Sequence, residues 1–102
     1  MNDRPHDEAM AEVFSNDPAY AAELLNSILA DGDQAELLIA LRQMAGGFGG
    51  VRGVAKVAGL NPNQLYRMLS AEGNPEFRSL STVLRAMGLR LAVQPIEESA
   101  TA

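Results

Sequence analysis

Three polar residues near the middle of the chain carry side chains that can pair with the edges of nucleic-acid bases. They are Asn63, Gln64 and Arg67. Asn and Gln present a donor and an acceptor that match adenine in the major groove of DNA, and Arg can bind guanine O6 and N7 together. A helix that buries Leu65 and Met68 leaves all three pointing outward. These three residues are therefore the candidates for base contacts, and the alternative is an ordinary solvated helix face.

The residues before them predict a short helix and a tight turn. The first helix spans about residues 51–58, and its inward face is formed by Val54, Val57 and Ala58. Ala55 is small enough to let a second helix cross closely. Gly59 supplies the positive φ that the turn requires, and Leu60 returns to the core.

The second helix begins sharply. Asn61 is predicted as its N-cap and Pro62 as its first residue, because proline is tolerated where no N–H is needed. The helix extends to about residue 69 and buries Leu65, Met68 and Leu69. The whole motif therefore spans residues 51–70, and it has the form of a helix-turn-helix.

The motif resembles the helix-turn-helix of phage repressors of the Xre/Cro/C1 type. The similarity lies in Ala55, Gly59 and Leu60, together with apolar residues at positions 54, 58, 65 and 68. Over about residues 8–95, from DPAYAAELLNSILADGDQAELLIALRQMA to GVAKVAGLNPNQLYRMLSAEGNPEFRSLSTVLRAMGLRLAV, the chain resembles the HigA-like antidote proteins of addiction modules. The resemblance implies an antitoxin that binds a RelE/HigB-like toxin and represses its own operon.

The resemblance also indicates which residues touch the DNA backbone. Arg52, at the start of the first motif helix, and Arg78 with Ser79, at the start of the last helix, lie where similar repressors contact phosphates. Asn61 combines its cap with a second role as a phosphate contact. Tyr66 is either a phosphate-binding hydroxyl or a partly buried packing residue.

Helices are predicted before the motif as well. A short helix covers about residues 7–15, and Asp17 with Pro18 opens another that extends to about residue 30 and ends at Gly32. Asp33 and Glu36 form a capping box that starts a third helix. The apolar residues expected inside are Met10, Val13, Phe14, Leu24, Leu25, Ile28, Leu29, Leu37, Leu38, Leu41, Met44, Ala45 and Phe48.

The end of the chain changes its periodicity. Phe77 is expected in the core, and Ser79 is expected to cap a last helix over about residues 80–87. Apolar residues then alternate with others over residues 89–95, which predicts a strand with Leu89, Leu91 and Val93 on one face. A single strand has no partner within a helical chain, so we expect it to pair with its twin in a homodimer.

The charge of the chain is divided. Net charge is −5, yet residues 1–36 carry nine acids and one arginine, whereas residues 37–96 carry seven basic residues and two acids. Because salt screens charges beyond about 8 Å, the basic part can dock on phosphates and the acidic part can meet a basic protein. Without cysteine or a Cys/His cluster, the sequence predicts no disulfide, metal or cofactor.

Together these features predict one all-α, phage-repressor-like domain of five to six helices with one short C-terminal strand. Its parts are a disordered N-terminus (1–6), a helix-turn-helix domain (7–95) and a disordered tail (96–102); the domain comprises acidic helices (7–32), a repressor-like core (33–88) and the strand (89–95). We expect a cytoplasmic, nucleoid-associated protein that binds an inverted repeat of double-stranded DNA and is not an enzyme. A stand-alone regulator and a protein-interaction module without DNA binding are the alternatives.

Overall fold

The computed structural model describes residues 12–96, and every regular element in that part of the chain is helical. The all-α class is therefore confirmed for these residues. The predictions made for residues 1–11, among them the inward position of Met10, and those for residues 97–102 lie outside the described part. The elements are α1 (residues 12–16), α2 (Pro18–Asp31), α3 (Gln34–Ala45), a 3-10 turn (Gly46–Phe48), α4 (Gly50–Ala58), α5 (Pro62–Met68) and α6 (Phe77–Ala86).

Aspartates start α2 and α3, as the sequence predicts. The Asp17 carboxylate accepts a hydrogen bond from the Tyr20 N–H (3.0 Å), and the Asp33 carboxylate accepts one from the Glu36 N–H (3.0 Å). Each bond occupies a backbone N–H that has no partner inside the helix. α2 ends at Gly32, whose φ of 76° turns the chain away from the helix axis.

One apolar core holds the helices together, and the described residues place no polar or charged side chain in it. α4 lies at its centre and packs against α3, α5 and α6. Full burial of one leucine or valine side chain is worth about 1.5–3 kcal/mol. The most deeply buried large side chains are Leu38, Leu41, Met44, Val54, Leu65, Leu69 and Val83.

Three residues predicted on inward helix faces are exposed, and one of them is Val13 of α1, at 43%. Val57 is 71% exposed, because the buried stripe of α4 consists of Val51, Val54 and Ala55, and at about 100° per residue position 57 lies to one side of it. Leu29 is 48% exposed for the same reason, since Leu25 and Ile28 define the buried stripe of α2. The 3.6-residue period predicted the stripes, and the positions of the neighbouring helices set their edges.

The start of α6 also differs from its prediction. The helix begins at Phe77, one turn before the predicted Leu80, and Glu76 takes the N-cap position without a side-chain cap bond. Ser79 is therefore a half-buried residue within the first turn, and its predicted N-cap role is wrong. Phe77 is 73% exposed instead of lying in the core, because it is the first residue of α6 and the buried residues of that helix, Val83 and Leu84, lie in its second half.

Residues 89–96 form neither helix nor strand in the single chain. Leu89 donates its N–H to the Leu84 carbonyl oxygen (2.8 Å), and from there the segment follows α2. Leu89 and Leu91 are half-buried, whereas Val93 is 98% exposed. The predicted strand therefore has no partner among the residues described, and a groove of about 200 Å³ lies between this segment, α2, α3 and α6.

Candidate nucleic-acid interface

The turn between α4 and α5 is built by backbone hydrogen bonds around one glycine. Gly59 has φ 72° and directs its N–H to the carbonyl oxygen of Lys56 (3.4 Å), while the Leu60 N–H bonds to that of Ala55 (2.9 Å). These two bonds form the Schellman motif that ends many helices. A residue with a Cβ is strained at this φ, so the predicted role of Gly59 in the turn is confirmed.

Asn61 caps α5. Its side-chain oxygen accepts hydrogen bonds from the backbone N–H groups of Asn63 (2.8 Å) and Gln64 (3.1 Å), and Pro62 follows as the first helical residue. The predicted N-cap is therefore confirmed. Because the side-chain oxygen is used inside the protein, only the amide NH₂ of Asn61 remains to donate to another molecule.

The packing of α5 fixes which residues face outward. Leu65 and Leu69 are each 1% exposed, and Met68 is half-buried. A seven-residue helix is too short to be stable in isolation, so these contacts hold it in place. Ala55, completely buried on α4, permits the close approach of the two helices.

The three predicted base-contacting residues lie together on the opposite side of α5. Asn63, Gln64 and Arg67 are all exposed, and their spacing of three and four residues makes them neighbours on one helix face. None of the three side chains is buried in the core, so each is free to meet a ligand surface. This face offers two amides and one guanidinium over a span of about 6 Å along the helix axis.

The predicted phosphate-contacting residues differ in exposure. Arg52 and Arg78 are exposed near the starts of α4 and α6, respectively. Ser79 is half-buried, and Tyr66 is 40% exposed. Tyr66 is thus both partly packed and partly accessible, and its two predicted roles are compatible.

One side chain at this surface was missed by sequence reasoning. The guanidinium carbon of Arg42, in the last turn of α3, lies 5.5 Å from the centroid of the Tyr66 ring. This is within the distance of a cation–π contact. Positions 42 and 66 belong to different helices, so no sequence periodicity relates them, and only the packed fold brings them together.

Comparison with known proteins gives the family. The chain matches a family described as "probable addiction module antidote protein" over residues 7–95. It belongs to this antidote family. Neither the search of curated proteins nor that of solved structures returned a match. Membership implies a toxin partner of some kind, which agrees with the antitoxin part of the prediction.

For an antidote protein, the distribution of charge over the fold is informative. Exposed acids occupy the first helices, among them Glu23, Asp31 and Glu36, whereas exposed bases begin at Arg42 and continue through α4, α5 and α6. The antidote therefore presents an acidic part and a basic part along one chain.

Among residues 12–96, no three His, Cys, Asp or Glu side chains are grouped as a metal site would require. No helix in that range is long and apolar enough to cross a membrane.

Proposed function

We propose that this antidote protein also binds operator DNA through α4 and α5 and represses its own operon. The observation that carries the proposal is the exposed face of α5, where Asn63, Gln64 and Arg67 lie beside one another above a buried Leu65. The turn at Gly59 supports it, because a helix-turn-helix of the Xre type needs a sharp bend between its two helices. In this proposal α5 is the recognition helix.

In the proposal, the recognition helix selects the DNA sequence through hydrogen bonds between its side chains and the edges of the bases. Asn63 and Gln64 pair with adenine N6 and N7, and Arg67 pairs with guanine O6 and N7. Contacts to phosphate oxygens fix the position of the helix in the groove. The residues that make them are Arg52, Asn61, Tyr66, Arg78 and Ser79. Each good base contact discriminates against the wrong base by about 1–3 kcal/mol.

A homodimer completes the proposed DNA-binding unit. Residues 90–95 make no backbone hydrogen bond with another described residue, and a second copy of the same segment is the simplest partner for them. A twofold dimer presents its two recognition helices about 34 Å apart, one turn of the duplex. The preferred site is then an inverted repeat.

The acidic part of the chain is the proposed binding surface for the toxin. RelE/HigB-like toxins are basic RNA-cleaving proteins, according to the family that the sequence resembles, and opposite charges steer such partners together. The exposed acids of α2 and α3 suit this role. The antidote then holds the toxin through one part and DNA through the other.

Binding to the DNA upstream of its own gene tests the proposed function. Wild-type protein is expected to bind this DNA with an affinity that falls steeply as salt is added. Arg67→Ala should weaken binding about 5- to 150-fold, because it removes a base contact worth about 1–3 kcal/mol. Fluorescence anisotropy at several salt concentrations measures both effects.

Arg85→Ala is the matched control, since Arg85 is an exposed arginine in the last turn of α6. Its substitution removes the same charge as Arg67→Ala. It should change affinity less than threefold. A wild type that retains its toxin but shows no preference for the upstream DNA would favour the rival, an interaction module without DNA binding. A wild type that binds DNA but no toxin would favour a stand-alone regulator.

A further inference from the structure

A contact between two helices places a cation beside the recognition helix. Arg42 belongs to the last turn of α3, and Tyr66 is the fifth residue of α5. The guanidinium carbon lies 5.5 Å from the ring centroid, and both residues are exposed to solvent. A guanidinium group over an aromatic ring is attracted by the negative face of the ring, and its planar shape stacks better than an ammonium group.

α3 reaches the α5 region at a second point. The side-chain amide of Gln34, the first residue of α3, donates a hydrogen bond to the carbonyl oxygen of Gly73 (2.7 Å), in the loop after α5. One end of α3 thus contacts the loop that leaves the recognition helix, and the other end contacts the helix itself through Arg42. The Gln34 hydrogen bond and the Arg42 cation–π contact restrain a seven-residue helix that has little stability of its own.

The Tyr66 ring is the side chain that gains most from this restraint. At 40% exposure it is not locked by the core, and a tyrosine at the surface otherwise samples several rotamers. Arg42 covers one face of the ring and favours one orientation of the phenol. The phenol hydroxyl is the only group of the Tyr66 side chain that can donate a hydrogen bond to a phosphate.

We propose that Arg42 is a positioning residue for DNA binding, which holds Tyr66 so that its hydroxyl meets a phosphate of the operator. The inference rests on the proposed function and adds a residue on α3, outside the two helices of the motif. Arg42 acts through the tyrosine ring. The competing role of Arg42 is a direct phosphate contact. Lysine at position 42 could make that contact through its charge, but it could not stack a planar group on the tyrosine ring.

The contact itself is tested without DNA. The chain has three phenylalanines, two tyrosines and no tryptophan, so a ring-current effect on Arg42 is assigned by NMR through replacement of the Tyr66 ring. The side-chain protons of Arg42 should be shifted upfield in the wild type and in Tyr66→Phe, and the shift should disappear in Tyr66→Leu. Side-chain protons of Arg85, the matched control, should not respond. Arg42 protons that do not change in Tyr66→Leu would overturn the contact.

The positioning role is tested on the upstream DNA with the full chain. Arg42→Lys should weaken binding about two- to fivefold, the equivalent of one exposed cation–π contact, and leave the salt dependence unchanged. In a Tyr66→Phe background, Arg42→Lys should have no further effect, because the hydroxyl that it positions is absent. Arg85→Lys should bind as the wild type does.

Each other outcome has a defined meaning. The positioning role would be overturned by two results together. Arg42→Lys would bind DNA with wild-type affinity, and Arg42→Gln would lower the slope of log affinity against log salt by about one, which would show a direct phosphate contact. Effects of Arg42→Lys and Tyr66→Phe that simply add would also overturn it. A wild type that does not prefer the upstream DNA overturns the proposed function, and this role with it, whereas unaffected Arg42 variants overturn this role alone.

Discussion

In our proposal both α5 and the segment of residues 89–96 bind partners, yet only α5 is held in a regular structure by the single chain. α5 has a capped start, and its Leu65 and its C-cap residue Leu69 are each 1% exposed, so the fold holds it without a partner. The C-terminal segment keeps Val93 98% exposed and Ile96 79% exposed, and it adopts no regular structure. A preformed surface binds DNA without a further cost in conformational entropy. An apolar edge can be completed by the partner itself.

This comparison separates residues that hold α5 from residues that act at its surface. Leu65→Ala should have the largest effect, a loss of about 2–5 kcal/mol in the free energy of unfolding, because it leaves a cavity beneath the recognition helix. Urea denaturation measures the loss. The matched control is Leu29→Ala, an exposed leucine at 48%, which should cost less than about 1 kcal/mol. Equal costs at the two sites would mean that α5 is not held by its buried face.

The cap of α5 gives a smaller effect. Asn61→Ala removes the side-chain oxygen that accepts from the N–H groups of Asn63 and Gln64, so it should cost about 0.5–2 kcal/mol of stability. Asn63→Ala is the control with the same chemistry: its side chain is exposed, so stability should change by less than about 0.5 kcal/mol while operator affinity falls. The pair is measured by thermal unfolding and by DNA binding. An Asn63→Ala variant that loses stability but binds DNA normally would contradict the assignment of Asn63 to the base-reading face.

Sequence reasoning succeeded at α5 because the features there are local. A glycine at the turn, an Asn-Pro pair at the helix start and leucines four residues apart each act within one turn of chain, and the structure contains all three. The outward position of Asn63 and Arg67 followed from the same spacing. Their contact with DNA depends on a partner outside the chain, so it stays a prediction.

Sequence reasoning failed where the outcome depends on neighbouring elements. Val57 and Leu29 lie at the edges of apolar stripes, and only the position of the next helix decides whether an edge is covered. Phe77 is exposed because α6 starts a turn early, and the buried residues of that helix lie in its second half. The contact of Arg42 with Tyr66 joins residues from two helices, and no spacing along the chain signals it.

The C-terminal segment should show the opposite behaviour to α5, with almost no effect on the stability of one chain and a clear effect on assembly. Val93→Asp places a charge on a side chain that is 98% exposed, so the fold of the single chain should lose less than about 0.5 kcal/mol. In a homodimer paired through residues 89–95, the same carboxylate would be desolvated and would oppose its twin, and the dimer should dissociate. Analytical ultracentrifugation distinguishes the two species, with Val57→Asp, on the exposed side of α4, as the matched control. If Val93→Asp stays dimeric, or if Val57→Asp dissociates equally, the two copies meet elsewhere, and the exposed apolar edge belongs to another partner such as the toxin.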